Sequence, residues 1–168
     1  MIKVWTDGAE AGLLGRSGQR GTTFLYQPGA PEPRAVSVTM PVRLASWDIS
    51  YGIAPIFEMN LPEGVLRERL RLAFAKAIGT FDDYDLLGIV GRSQVGRIRY
   101  TGHEESLNQE VPFQSVDEIL ARRRQGDLFH HLLDKFASFS GISGEQPKFL
   151  IRDEDAFSKT AFNGARLS

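Results

Sequence analysis

Cysteine is absent from this 168-residue chain, which excludes disulfide staples and thiolate zinc sites. A reducing compartment is compatible with that absence. Charge of one sign is also missing: 20 basic residues face 21 acidic ones, for a formal net charge of −1. Such a balance gives no global attraction to nucleic acid or to an anionic membrane. No apolar run approaches the length that spans a bilayer. The opening Met1-Ile2-Lys3-Val4-Trp5 reaches Asp7 and Gly8 without the apolar stretch of a signal peptide, so a cytoplasmic location is expected. Histidines number three, and His130 and His131 are adjacent, pointing to different helix faces instead of pairing on one metal. What remains is ordinary for a globular domain, 42% hydrophobic and 24% charged, and long enough for one good-sized core.

The first forty residues read as β-structure. Ile2-Lys3-Val4-Trp5 is a short strand, Asp7-Gly8 a turn, and Ala11 to Gly15 a returning strand. Gly18-Gln19-Arg20-Gly21 turns into Thr22-Thr23-Phe24-Leu25-Tyr26, rich in β-branched and aromatic residues. Pro28, Pro31 and Pro33 mark a loop, because each removes a backbone donor and fixes φ. Ala35 to Met40 alternates apolar and polar residues as a half-buried strand does, and is expected to stop at Pro41. These segments predict a small antiparallel sheet.

The middle is helical. After Pro62-Glu63-Gly64, the residues Leu66, Leu70, Ala73, Phe74, Ala77 and Ile78 recur at helical spacing, with Arg67, Glu68, Arg71 and Lys76 on the other side. Gly79 is the expected C-cap. Asp82 and Asp83 are placed to cap a second helix running through Leu86, Leu87 and Ile89. General acid–base or cation-binding roles for Asp82, Asp83 and Asp85 are the alternative, and capping is the simpler reading. Gly91 to Gly96 then turns into Arg97-Ile98-Arg99-Tyr100, an alternating strand. Trp5 and Trp47 are expected in the core or at an interface.

Residues 103–112 are polar and patternless, and read as a linker. Ser115-Val116-Asp117-Glu118 has the form of a capping box opening a helix through Ile119, Leu120 and Arg123. Arg122-Arg123-Arg124 reads as a solvated helix end, with a phosphate-binding patch as the alternative. A further helix begins at Asp127 and buries Leu128, Phe129, Leu132, Leu133 and Phe136.

The stretch Ser138-Phe139-Ser140-Gly141-Ile142-Ser143-Gly144-Glu145-Gln146-Pro147-Lys148 leads into a strand from Lys148 to Arg152. Small residues let several backbone N–H groups converge on one anion, and a lysine adds charge, which is how a phosphate is cradled. The plainer reading is a helix-to-strand connection, since Gly and Ser favour loops in any case. Asp153-Glu154-Asp155 reads as a turn, and Phe157 to Ser168 carries no strong pattern.

Three segments in register resemble the N-terminal part of HipA-family serine/threonine kinases, the toxins of HipA–HipB toxin–antitoxin pairs. Phe57-Glu58-Met59-Asn60-Leu61-Pro62-Glu63-Gly64, followed by Arg67-Glu68-Arg69, looks like the family's Asn-Leu-Leu-Pro segment. Asp85-Leu86-Leu87 with Ile89 to Gly96 is similar to its Asp-Leu-Leu and Ile-Gly-Arg-Asp-Ser-Val-Gly-Ala segment. Ile142-Ser143-Gly144-Glu145-Gln146-Pro147-Lys148 looks like its glycine-rich loop. The resemblance implies an α+β fold, a small antiparallel sheet with packed helices followed by a partial kinase-like N-lobe. Residues 1–102 would form the N-terminal domain, 103–112 a linker, and 113–168 the incomplete start of the N-lobe.

By the same resemblance, the backbone of Ser143, Gly144, Glu145, Gln146, Pro147 and Lys148 would face the ATP phosphates in an intact kinase. Ser143 and Ser140 are the candidate phosphorylation sites, since the family's usual first serine position falls on Gly141. A phosphoryl-transfer site also needs a strand lysine, a catalytic aspartate and magnesium ligands. No His-Arg-Asp-like or Asp-Phe-Gly-like segment occurs in the sequence, so no catalytic residue and no metal ligand is assigned. ATP and magnesium are implied as cofactors of an intact kinase, and none is expected on this chain alone. The implied partners are a HipB-like DNA-binding antitoxin, the remaining HipA-like kinase core, or both. Two other readings stay open: a small stand-alone HipS-like module that neutralises a separate kinase, and an unrelated soluble α+β binding domain.

Overall fold

The computed structural model describes residues 1–59, 61–78, 81–108, 135, 148–152 and 157–161. Five strands, β1 (Ile2–Thr6), β2 (Ala9–Ser17), β3 (Gly21–Tyr26), β4 (Trp47–Ile49) and β5 (Ile98–Gly102), form one antiparallel sheet in the order β4-β3-β2-β1-β5. The fold is α+β: β1 to β4 step outward in sequence order. Helices α1 (Pro55–Glu58), α2 (Gly64–Ile78) and α3 (Asp83–Val90) then carry the chain back to place β5 beside β1. The β1–β2 connection is the two-residue turn Asp7-Gly8, with φ of 50° and 79°. Both values are left-handed, which a two-residue hairpin loop of primed type demands and which Asp-Gly tolerates.

Register places two rows of side chains on the core face. Tyr26, Gly12, Val4 and Tyr100 lie opposite one another across four strands, and Phe24, Leu14 and Ile2 form the next row. A side chain at Gly12 has no room: a Cβ there would run into the Leu25 carbonyl oxygen first, and would stand 2.8 Å from Phe24 Cε2. Phe57 of α1 closes the arrangement. Its ring meets Phe24 edge-on at 5.5 Å and Tyr100 edge-on at 5.8 Å, so one aromatic joins β3 to β5 over the intervening strands. Leu86, Leu87 and Val90 of α3 and Leu66 and Leu70 of α2 are buried in the same cluster, whose members run from Ile2 to Tyr100. On the opposite face Trp5 donates its indole N–H to Thr101 Oγ1 at 3.0 Å.

The expected strands at the N-terminus are present, as are the two helices after Gly64, although β2 is longer than Ala11 to Gly15. Ala35 to Met40 is not a strand. Its alternation is real, with Val36 buried and Val38 almost fully exposed, but the Tyr26 hydroxyl replaces a neighbouring strand as its partner. That hydroxyl accepts from the Val36 N–H at 2.9 Å and donates to the Met40 carbonyl, and Ser37 and Met40 close a tight turn. Conversely, β4 and α1 carry no periodic signal because they are three and four residues long. Strand β6 (Lys148–Arg152) appears where expected, and pairs antiparallel with β7 (Phe157–Ala161) in a segment that shows no pattern in sequence. The expected C-cap Gly79 and the helices expected after Ser115 and Asp127 lie outside the described residues, as do Arg122 to Arg124, His130 and His131.

Two neighbouring glycines give opposite expectations. A Cβ at Gly91 would stand 2.5 Å from Tyr100 Cβ, so Gly91→Ala should lower stability by about 1–3 kcal/mol through overpacking. A Cβ at Gly88, inside α3, meets only Ile2 Cδ1 at an ordinary 3.7 Å, so Gly88→Ala should raise stability by about 0.5–1 kcal/mol. Urea unfolding of both variants decides the matter, and equal midpoints would contradict this account of the α3–β5 contact.

Candidate functional site

Two of the three segments that resemble a family, around Phe57 to Gly64 and Asp85 to Gly96, build the fold in the described residues. Asp85 completes a capping box on α3: Asp82 accepts from the Asp85 N–H at 3.1 Å and Asp85 accepts from the Asp82 N–H at 3.1 Å. Leu86 and Leu87 are fully buried, as is Phe57, and Leu61 is nearly so. Gly91 makes way for Tyr100. Gln94 is buried at 2% exposure with neither amide atom partnered among the described residues, and the buried Tyr100 hydroxyl likewise has no partner there. Removal from water holds the Tyr100 phenol neutral, its pKa well above the ordinary value.

Chemically distinctive side chains gather elsewhere, in an open cleft of about 440 Å³ where the β2–β3 turn, the bend after β4 and the start of α3 meet. Arg16, at the end of β2, forks onto Asp82 with contacts of 2.6 and 2.9 Å and reaches Asp85 at 2.7 Å. Its guanidinium also lies 4.5 Å from the centre of the Tyr84 ring. Tyr84 in turn donates to the Leu14 carbonyl at 3.2 Å, so α3 is fastened to β2 by charge, stacking and a hydrogen bond together. Arg67 of α2 pairs with Asp83, which ties the two helices at the cleft wall.

The network sets the protonation states. Hydrogen bonding to Asp82 is the largest influence on Arg16 and, with Asp85, holds it charged more firmly than an ordinary arginine. For Asp82 the largest single influence is burial, which favours the neutral acid. The hydrogen bonds from Arg16 and from the Asp85 amide, with the Arg16 charge, outweigh burial and leave the carboxyl below its usual range. Tyr84 is pushed up, chiefly by burial. In the structure these aspartates cap a helix and neutralise arginines: Asp82 and Asp85 form the capping box and hold Arg16, and Asp83 holds Arg67.

Arg20 differs. It is exposed at the β2–β3 turn, with its guanidinium 6.0 Å from the centre of the Tyr51 ring and no carboxylate partner among the described residues. The backbone beneath is clamped: Gly52 N–H donates to the Arg20 carbonyl at 2.7 Å, and Thr22 Oγ1 donates to the Gly52 carbonyl at 2.8 Å. Among the described residues no cluster of histidines and carboxylates is arranged to hold a metal ion, and no helix is long and apolar enough to cross a membrane.

Of the residues expected to face nucleotide, Lys148 opens β6 opposite Ala161. Ser140, Ser143, Gly144, Glu145, Gln146 and Pro147 lie outside the described residues. The cleft residues Arg16, Arg20, Tyr51 and Tyr84 drew no notice in sequence, because they are distributed over four separate segments and share no spacing. Trp5 and Trp47 are both half-buried, Trp47 beneath the Arg43 guanidinium at 3.5 Å.

A family model described as the HipA N-terminal domain matches residues 2–101. No curated protein matches the chain.

The Arg16–Asp82 pair yields a signed pH dependence. A carboxyl depressed in the folded state adds stability above its unfolded pKa of about 3.9, and that stability disappears as pH falls through the lower folded value. Asp82→Asn keeps an N-cap and removes the charge, so it should flatten the loss of stability below about pH 4. Combined with Arg16→Met in a double-mutant cycle at neutral pH, the coupling should be about 0.5–1 kcal/mol, given that both side chains are about half exposed. Zero coupling and an unchanged acid limb would show that the pair contributes nothing to stability.

Proposed function

The chain belongs to the HipA N-terminal domain family, in a HipA-related toxin–antitoxin context, and on that footing we propose that it is the N-terminal regulatory and structural part of a HipA-like serine/threonine kinase toxin. The family match over residues 2–101 carries the reading, joined by the kinase-type glycine-rich loop that the sequence from Ile142 to Lys148 resembles. In this reading the domain presents surface to the kinase core and to a HipB-like antitoxin. ATP and magnesium belong to the assembled kinase: the loop backbone from Ser143 to Lys148 would face the phosphates, and the kinase core would supply the catalytic aspartate and the magnesium ligands. The chain alone transfers no phosphate.

One observation favours a second reading, a HipS-like module that binds a separate kinase and neutralises it. Among the described residues the hydrophobic core draws its members from Ile2 to Tyr100, and a domain that buries its own core can act as a separate binding unit. Both readings place the function in binding and assign no chemistry to this chain.

Incubating the purified chain with Mg-ATP and a radiolabelled γ-phosphate, and reading both self-labelling and transfer to a general protein substrate, should give no incorporation above a no-protein control. Sustained turnover would overturn the assignment. A fragment spanning residues 1–108 should unfold cooperatively on its own, and a molten fragment would remove the support for the second reading.

A further inference from the structure

Three arginines and two aspartates line the cleft, and their pairing is unequal. Arg16 is taken by Asp82 and Asp85, and Arg67 by Asp83. Among the described residues this leaves Arg20 with an uncompensated charge over the Tyr51 ring. Both side chains are open to solvent, Tyr51 at 72% exposure. Their backbones are nonetheless held by the reciprocal bonds among Arg20, Thr22 and Gly52, so the pair is presented on a fixed frame. A guanidinium backed by an aromatic face, with a polar wall of neutralised ion pairs behind it, is the chemistry of a carboxylate receptor.

Charge count separates the candidate anions. A phosphate dianion calls for a second uncompensated cation beside Arg20, and the other two cleft arginines, Arg16 and Arg67, are already paired with Asp82, Asp85 and Asp83. One free guanidinium matches one carboxylate. We infer that the Arg20–Tyr51 end of the cleft is a docking point for an acidic segment of a partner protein, with an Asp or Glu carboxylate forked onto Arg20 and its neighbouring side chain against Tyr51. This deepens the proposed function, since it rests on the reading of the chain as a docking module and names the chemistry of the surface that it receives.

The test is a titration of the ¹⁵N-labelled full chain with a polyglutamate peptide, with polylysine of equal length as the control. Saturable shifts should be confined to the amides of Arg20, Gly21, Tyr51 and Gly52 and should weaken with added salt. Affinity should fall about tenfold in Arg20→Ala, the effect of removing one charge-assisted hydrogen-bonded contact. Arg99→Ala, an exposed arginine on β5, should leave the affinity unchanged. Shifts that are absent, that polylysine reproduces, or that persist in Arg20→Ala would overturn the inference. So would inorganic phosphate binding at the same amides more tightly than the peptide, or concentration-dependent shifts showing that a second copy of the chain occupies the cleft. The titration uses no kinase and no antitoxin, so its result is independent of the outcome of the phosphate-transfer assay.

Discussion

The position of one ring, Phe57, constrains everything else in the domain. It sits in a four-residue helix that has no stability of its own, and it contacts aromatics on β3 and β5 at once. Those strands are separated by β2 and β1, which lie between Tyr26 and Tyr100 in one row. Gly12 and Val4 fill that row, and Gly12 also makes way for Phe24. Edge-to-face contacts at 5.5 and 5.8 Å fall in the favoured range for aromatic pairs. Phe57 lies between β4 and α2 in the chain, so this one ring ties the start of the helical crossover to both β3 and β5.

The two described family segments acquire a physical meaning from this frame. Phe57, Leu61, Leu86 and Leu87 supply core, Asp85 caps, and Gly91 permits the close approach of Tyr100. Their roles are packing and capping, and none of these five side chains is offered to a ligand. In this chain these residues of the two segments therefore serve the scaffold. The walls of the arginine–tyrosine cleft are structural ion pairs, and Arg20, with no carboxylate partner among the described residues, stands at its open end.

Helix α3 illustrates how much was legible locally. Asp82 and Asp83 ahead of an apolar run announce a capped helix; in the structure Asp82 is the N-cap, and the capping box is formed by Asp82 and Asp85. Asp82 and Asp85 also bind Arg16, 66 and 69 residues away, and nothing in the spacing foretells that. The segment from Ala35 to Met40 shows the opposite failure. Its alternation is a true record of burial, yet a tyrosine hydroxyl took the hydrogen bonds that a neighbouring strand would have taken.

By itself, then, the amino-acid sequence determined the local elements and the family: the Asp7-Gly8 turn, the β-branched strands, the amphipathic α2, the capped α3 and the three family segments. These depend on dihedral preference, periodicity and capping, all of which act over a few residues. Tertiary structure alone decided the strand order, the pairing of β1 with β5 across nearly the whole domain, and which carboxylates pair with the cleft residues Arg16 and Arg67. Those outcomes depend on which distant groups share one face once the core has closed, and burial is set by the whole fold.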